Sequence, residues 1–117
     1  MLIGLDFDET VVLKDEPVPH ALPVLKELSD KGFGFILITL RTGDRLKIAE
    51  AFLKFHGINL VGVNENPEQK EWNQSPKIHC DFYIDDRNIG TPLLIGGKKP
   101  VVNWIKLREE LVKRGLL

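Results

Sequence analysis

The chain has 117 residues, 43% of them hydrophobic, which is enough for one core, so a single domain over 1–117 is expected. Sixteen Lys and Arg against seventeen Asp and Glu leave a net charge of -1, which excludes a global pull toward nucleic acid or an anionic membrane surface. The lone Cys80 has no intrachain partner, Leu2 to Phe7 is too short for a signal peptide, and no apolar run nears the ~20 residues of a membrane span, so a soluble, cytoplasmic protein is expected.

The opening stretch MLIGLDFDET is an apolar run leading into Asp6-Phe7-Asp8, the pattern of a buried strand that ends where two carboxylates emerge. Val11 to Pro19, with two prolines and several charges, suits a short hairpin or loop. Leu22, Leu25 and Leu28 recur at helical spacing and Gly32 supplies a stop, predicting a helix from about His20 to Lys31. Phe33 to Leu40 is apolar, short and nearly uncharged, a central strand ending at Thr39 beside Arg41. Thr42-Gly43-Asp44 then caps a second helix carrying Leu46, Ala49, Phe52, Leu53 and Phe55, with Gly57 as its stop; Phe52, Leu53 and Phe55 read as core.

Ile58 to Val63 predicts a third strand, broken by Asn64-Glu65-Asn66-Pro67. Glu68 to Pro76, polar around Trp72, reads as a loop with at most one helical turn. Phe82 to Asp85 is a fourth strand, and either Leu93 to Ile95 or Val101 to Val102 supplies a weaker fifth beyond it. Asn103 caps a last amphipathic helix with Ile105, Leu107, Leu111 and Val112 on its apolar side and Lys113 and Arg114 at its end.

Strands alternating with helices imply right-handed crossovers and an α/β fold: a three-layer sandwich around a doubly wound parallel sheet, with the four strands in the spatial order 3-2-1-4. The carboxyl ends of the first, second and fourth strands then gather Asp6, Asp8, Thr39, Arg41, Asp85 and Asp86 on one rim, where open α/β sheets bind ligands. Carboxylates around a hard cation, with a hydroxyl and a lysine or arginine nearby, supply what a phosphoryl group needs during transfer. One acid attacks phosphorus while another protonates the departing oxygen and later deprotonates water.

On these residues the chain resembles the haloacid dehalogenase superfamily of magnesium-dependent phosphatases. Asp6, Asp8 and Thr10 match its first motif, Thr39 in FILIT its second, and Asp85-Asp86 in FYIDD its fourth. Within the family the sequence is similar to short hydrolases associated with capsular polysaccharide biosynthesis or phages. The resemblance implies that Asp6 is the nucleophile, that Asp8 is the general acid/base and binds Mg2+ through its backbone carbonyl, and that Asp85 is a further metal ligand. It implies that Asp86 acts on the metal through water or orients the motif lysine, and that Thr39 bonds the transferring group. The motif lysine is Lys77 in preference to Lys70, because its tether to Asp85 is shorter. Glu9 stands where many members carry glycine. The intervals after the first and third strands are too short for a folded cap, so a capless member is expected, with substrate contacts from the Val11–Pro19 excursion, the Asn64–Pro76 loop or a second copy in a homo-oligomer.

Arg41 and Arg87, and less so Arg45, are candidates to grip the phosphate or an acidic group of a phosphorylated substrate; surface ion pairs are the alternative. Trp72 reads as a loop anchor, and His20, His56 and His79 as capping or surface residues with no zinc spacing. Two other classes compete: a receiver-like phosphoacceptor domain, whose paired acids would come on the first strand instead of the fourth, and a catalytically silent protein that binds metal or phosphate without turnover.

Overall fold

In the computed structural model, which describes residues 1–117, four short apolar segments pair in parallel: β1 (Leu2–Leu5), β4 (Gly34–Leu37), β5 (Leu60–Val63) and β6 (Phe82–Ile84). Their spatial order is β5-β4-β1-β6, the predicted 3-2-1-4. Between β1 and the first helix, β2 (Val12–Leu13) and β3 (Glu16–Pro17) form a small antiparallel hairpin. The helices are α1 (Ala21–Asp30), α2 (Gly43–Phe55) and α3 (Trp104–Lys113).

No fifth strand extends the sheet. Instead β7 (Leu93–Leu94) and β8 (Val101–Val102) pair with each other as a separate antiparallel ribbon. The ribbon docks on the first motif, where the Val102 N–H bonds the Glu9 carbonyl at 3.1 Å.

The period-2 alternation of the strands sorts their side chains onto two unlike faces. Ile3, Leu5, Phe35, Leu37 and Ile84 share one buried cluster with α1 (Val24, Leu25, Leu28), α2 (Ala49, Leu53) and α3 (Trp104, Leu111). All three helices thus contribute to a single core. The opposite face carries Gly4, where a side chain would run into Tyr83 and Ile38 at under 3 Å, and it is roofed by the irregular stretch between β5 and β6. That stretch contains only a 3-10 turn at Gln69–Glu71, so the third layer of the expected sandwich is a loop where a doubly wound fold would place a helix.

A loop laid over a sheet must satisfy its own backbone groups, and here buried amide side chains do it. Gln69 Nε2 donates to the carbonyls of Lys77 (2.7 Å) and Ser75 (3.3 Å), its Oε1 accepts from His79 N–H (2.8 Å), and Asn66 Nδ2 donates to the His79 carbonyl (3.1 Å). The Tyr83 hydroxyl adds a bond to the Ile78 carbonyl at 2.6 Å. Trp72 is exposed, its ring edge-on to His79.

Two apolar assignments change. Phe55 is 85% exposed at the end of α2, leaving Phe52 to meet Phe7 edge to face at 5.7 Å. On α3 the inward stripe runs through Trp104, Leu107 and Leu111, which turns Ile105 and Val112 outward. Cys80 is buried, and burial pushes its thiol pKa up.

Candidate functional site

Parallel register puts the acids on one rim. Leu5 lies opposite both Leu37 and Ile84, so Asp6 emerges level with Ile38 and Asp85. The Asp6 N–H bonds the Ile84 carbonyl (3.0 Å) and the Ile38 N–H bonds that of Leu5 (2.8 Å), which fixes all three strand ends to each other. Asp6, Asp85 and Asp86 each present a carboxylate oxygen within 4.8 Å of the others.

Thr10 organises this triad from beneath. Wholly buried, its hydroxyl accepts from the Asp86 N–H (3.0 Å), and its one hydrogen faces Asp86 Oδ1 (3.0 Å) and Asp6 Oδ2 (3.1 Å), so it serves one acid at a time. Trp104 Nε1 in turn bonds the Thr10 carbonyl at 2.7 Å, tying the first motif to α3. Burial first, then the bond with Asp86 and the charge of Asp85, push the Asp6 pKa up to about 8; the Phe7 backbone and Thr10 offset this in part. Three carboxylates this close need a proton or a cation between them. The donors are all oxygens, with no His or Cys in the group, a set that suits a hard cation.

Asp8 stands two residues away in the opposite surroundings. Arg41 grips it with a fork, Nε to Oδ2 at 2.9 Å and Nη2 to Oδ1 at 2.7 Å, and the same Nη2 reaches Asp15 Oδ1 on the hairpin turn at 2.7 Å. The guanidinium lies 4.7 Å over the Phe7 ring, with its side chain only 3% exposed. The Arg41 hydrogen bond holds the Asp8 carboxyl below the usual carboxylate range. The Asp8 carboxyl is therefore engaged, and the Nε and Nη2 hydrogens of Arg41 are committed to Asp8 and Asp15. Asp86 sits in the acid triad itself.

Thr39 follows β4 with its N–H on Asn64 Oδ1 (2.9 Å) and its hydroxyl accepting from Arg41 N–H (3.1 Å), which leaves the hydroxyl hydrogen uncommitted. Lys77 shares a cavity of ≈ 300 Å³ with Asp6 and Asp85, whereas Lys70 lines a neighbouring one that contains neither acid. Arg87 is exposed and meets the site only through its backbone N–H, which bonds Asp85 Oδ1 at 2.9 Å. Arg45 comes closer, with Nη2 4.0 Å from Asp8 Oδ1. Glu9 adopts a left-handed conformation (φ 62), the geometry glycine favours, and its carboxylate pairs with Lys99 at 3.0 Å.

Four contributors had no role assigned from sequence: Asp15, Gln69, Trp104, and Thr10 as a hydrogen-bonding hub. Thr10 was visible as part of the first motif. The others act through partners 26, 8 and 94 residues away, which no local pattern encodes.

No protein-family model and no curated protein matches the sequence. The chain is similar to the solved structure of a conserved protein coded by a locus from Bacteroides thetaiotaomicron, at 28% identity, with a TM-score of 0.75, over 98% of this chain and 91% of that one. The α/β architecture is thus shared nearly end to end.

Proposed function

We propose that the chain is a Mg2+-dependent phosphomonoester hydrolase of the haloacid dehalogenase type, without a cap domain, working through an aspartyl-phosphate on Asp6. The observation that carries this is the meeting of Asp6, Asp85 and Asp86 at one strand edge, with Lys77 on the wall of the cavity beside them. Asp6, Asp85 and the Asp8 carbonyl would hold the ion, with Asp86 beside them. When bound, the ion offsets the repulsion between carboxylates and phosphate and keeps Asp6 ionised. Asp6 attacks phosphorus as the bond to the leaving oxygen breaks. Thr39 donates its free hydroxyl hydrogen to a phosphoryl oxygen, and Lys77 balances charge on that group.

Asp8, once it has taken a proton from solvent, passes that proton to the leaving oxygen and later takes one from the hydrolytic water. To do so it must turn out of the Arg41 fork, and Asp15 keeps the guanidinium compensated when it leaves. Purified protein should release phosphate from p-nitrophenyl phosphate only with Mg2+, and Asp6→Asn should lower that rate by at least about 10³-fold. Turnover that survives excess chelator, or survives Asp6→Asn, would defeat the proposal.

The Asp8–Arg41 fork favours a second reading, a silent cradle that binds metal or phosphate without turnover, because a locked acid protonates nothing. Mg2+ binding seen by calorimetry with no phosphate release from any ester would establish it.

A further inference from the structure

A cavity of ≈ 510 Å³ that includes Asp8 but none of the acid triad is walled by Lys14, Arg45, Lys98 and Lys99 together with Asp8, Glu9 and Leu13. Its cations come from three separate segments: the turn of the β2-β3 hairpin, the first turn of α2 and the loop between β7 and β8. The two acids in the wall are already served, Asp8 by Arg41 and Glu9 by Lys99 at 3.0 Å. Lys14 and Lys98 have no carboxylate within ion-pairing distance, and Arg45 has only the 4.0 Å approach to Asp8. Positive charges gathered around one hollow without counter-ions repel each other until an anion enters.

The hairpin turn is independently unusual. Lys14 (φ 50) and Asp15 (φ 64) both occupy the left-handed region, as a two-residue hairpin turn requires. Asn-Gly or Asp-Gly relaxes such a turn, and side chains there cost about 1 kcal/mol each. This chain keeps both side chains: Asp15 reaches Arg41, and Lys14 faces the cavity. Strain held at a turn with one side chain on the hollow and the other on Arg41 points to function.

We infer that this cavity receives a second phosphate of the substrate, on the leaving-group side of Asp8, so that the preferred substrates are bisphosphates. The inference rests on the phosphatase reading above, because that reading is what makes Asp8 face the leaving group. A dianionic phosphate matches several converging cations better than a neutral hydroxyl does, and charge-assisted bonds to lysine and arginine supply the discrimination.

The probes are fructose 6-phosphate and fructose 1,6-bisphosphate, which differ by the second phosphate alone. With Mg2+ at low ionic strength, kcat/KM for phosphate release should be at least about tenfold higher for the bisphosphate, and the ratio should shrink as salt rises. In the double variant Lys14→Gln, Lys98→Gln the ratio should fall toward one. Equal kcat/KM for the two esters in the wild-type chain, or a preference that survives the double variant, overturns the inference while leaving the phosphatase reading intact. If neither ester is hydrolysed, calorimetry decides: binding of the bisphosphate that is tighter than the monophosphate and lost in the double variant keeps the second-phosphate site, and equal binding removes it, while the phosphatase reading stands or falls on p-nitrophenyl phosphate.

Discussion

Asp6 and Asp8 leave the same strand end two residues apart, yet the regions they enter are electrostatic opposites. Asp6 sits among acids over the loop-covered side of the sheet, and its pKa is pushed up to about 8. Asp8 sits among cations between the hairpin and the ribbon, held by Arg41 below the usual carboxylate range. Identical side chains are thus poised in opposite protonation states by what surrounds them. A cation added to the first region reverses its preference, and a break in the Arg41 clamp reverses that of the second.

The largest expected effect separates the two acids by leaving group. Asp8→Asn should keep Mg2+ binding, slow hydrolysis of the aspartyl-phosphate alike for every ester, and slow phosphorylation of Asp6 by ~10²–10⁴-fold from an alkyl phosphate but little from p-nitrophenyl phosphate, since general-acid help matters where the departing oxygen is basic. The first-turnover burst of alcohol or nitrophenol released by the variant from the two esters checks this. Equal slowing of that first turnover for both esters would show that Asp8 passes no proton to the leaving oxygen.

Removing the clamp comes next. Arg41→Ala leaves Asp15 unpaired and Asp8 with only Arg45 at 4.0 Å, and strips the cation from the Phe7 ring. Breaking a fully buried pair costs more, but Asp8 and Asp15 are 38% and 60% exposed, so a loss of about 2–3 kcal/mol in urea unfolding is expected. The freed Asp8 carboxyl should also rise toward the ordinary range, and alkyl-phosphate turnover should then persist to higher pH. An unshifted pH profile would mean that Arg41 does not control Asp8.

How much of this contrast the sequence carried depends on the range of each signal. Apolar runs ending in Asp6, Thr39 and Asp85 are local patterns, and the parallel register turns them into one rim, so the strand order and the acid cluster were both legible. The fate of Arg41 was not. An arginine beside a motif reads the same whether it faces outward or folds back onto Asp8, because the choice depends on Asp15 and Phe7 lying within reach in space. The loop-covered face was equally hidden: Gln69 replaces a helix by bonding the carbonyls of Ser75 and Lys77, and one glutamine in a polar stretch shows no periodicity. Two-residue strands such as β7 and β8 were visible as β-branched or leucine pairs, but nothing in them states which neighbour they choose.

The two regions should also respond oppositely to pH when no metal is present. Asp6 has a folded pKa of about 8 against an ordinary 3.8, so between those values the folded chain holds a proton that the unfolded chain has released. Its contribution to stability is complete below about 4 and is lost as pH rises toward 8. Asp8 runs the other way, contributing above the ordinary carboxylate range and losing that contribution as pH falls through its lowered pKa. Urea midpoints in chelator should therefore fall from pH 5 to pH 8, flatten in Asp6→Asn, and recover at pH 8 when Mg2+ is added. A midpoint that stays level in the wild-type protein would place the Asp6 pKa near its ordinary value.

The smallest expected effect tests the cationic region at its rim. Glu9 holds a left-handed conformation that costs about 1 kcal/mol and that glycine adopts freely, but glycine also loses more freedom on folding, and the exposed pair with Lys99 adds little. These terms nearly cancel, so Glu9→Gly should leave the urea midpoint within about 1 kcal/mol of wild type. Its consequence lies in the charge: the substitution removes one of the two acids in the wall of the ≈ 510 Å³ cavity and releases Lys99 into it. The bisphosphate preference should then rise by about two- to threefold, a gain that salt suppresses because the groups are exposed. A preference that falls instead would mean that Glu9 is needed to position Lys99, making the pair part of the anion site and not a counterweight to it.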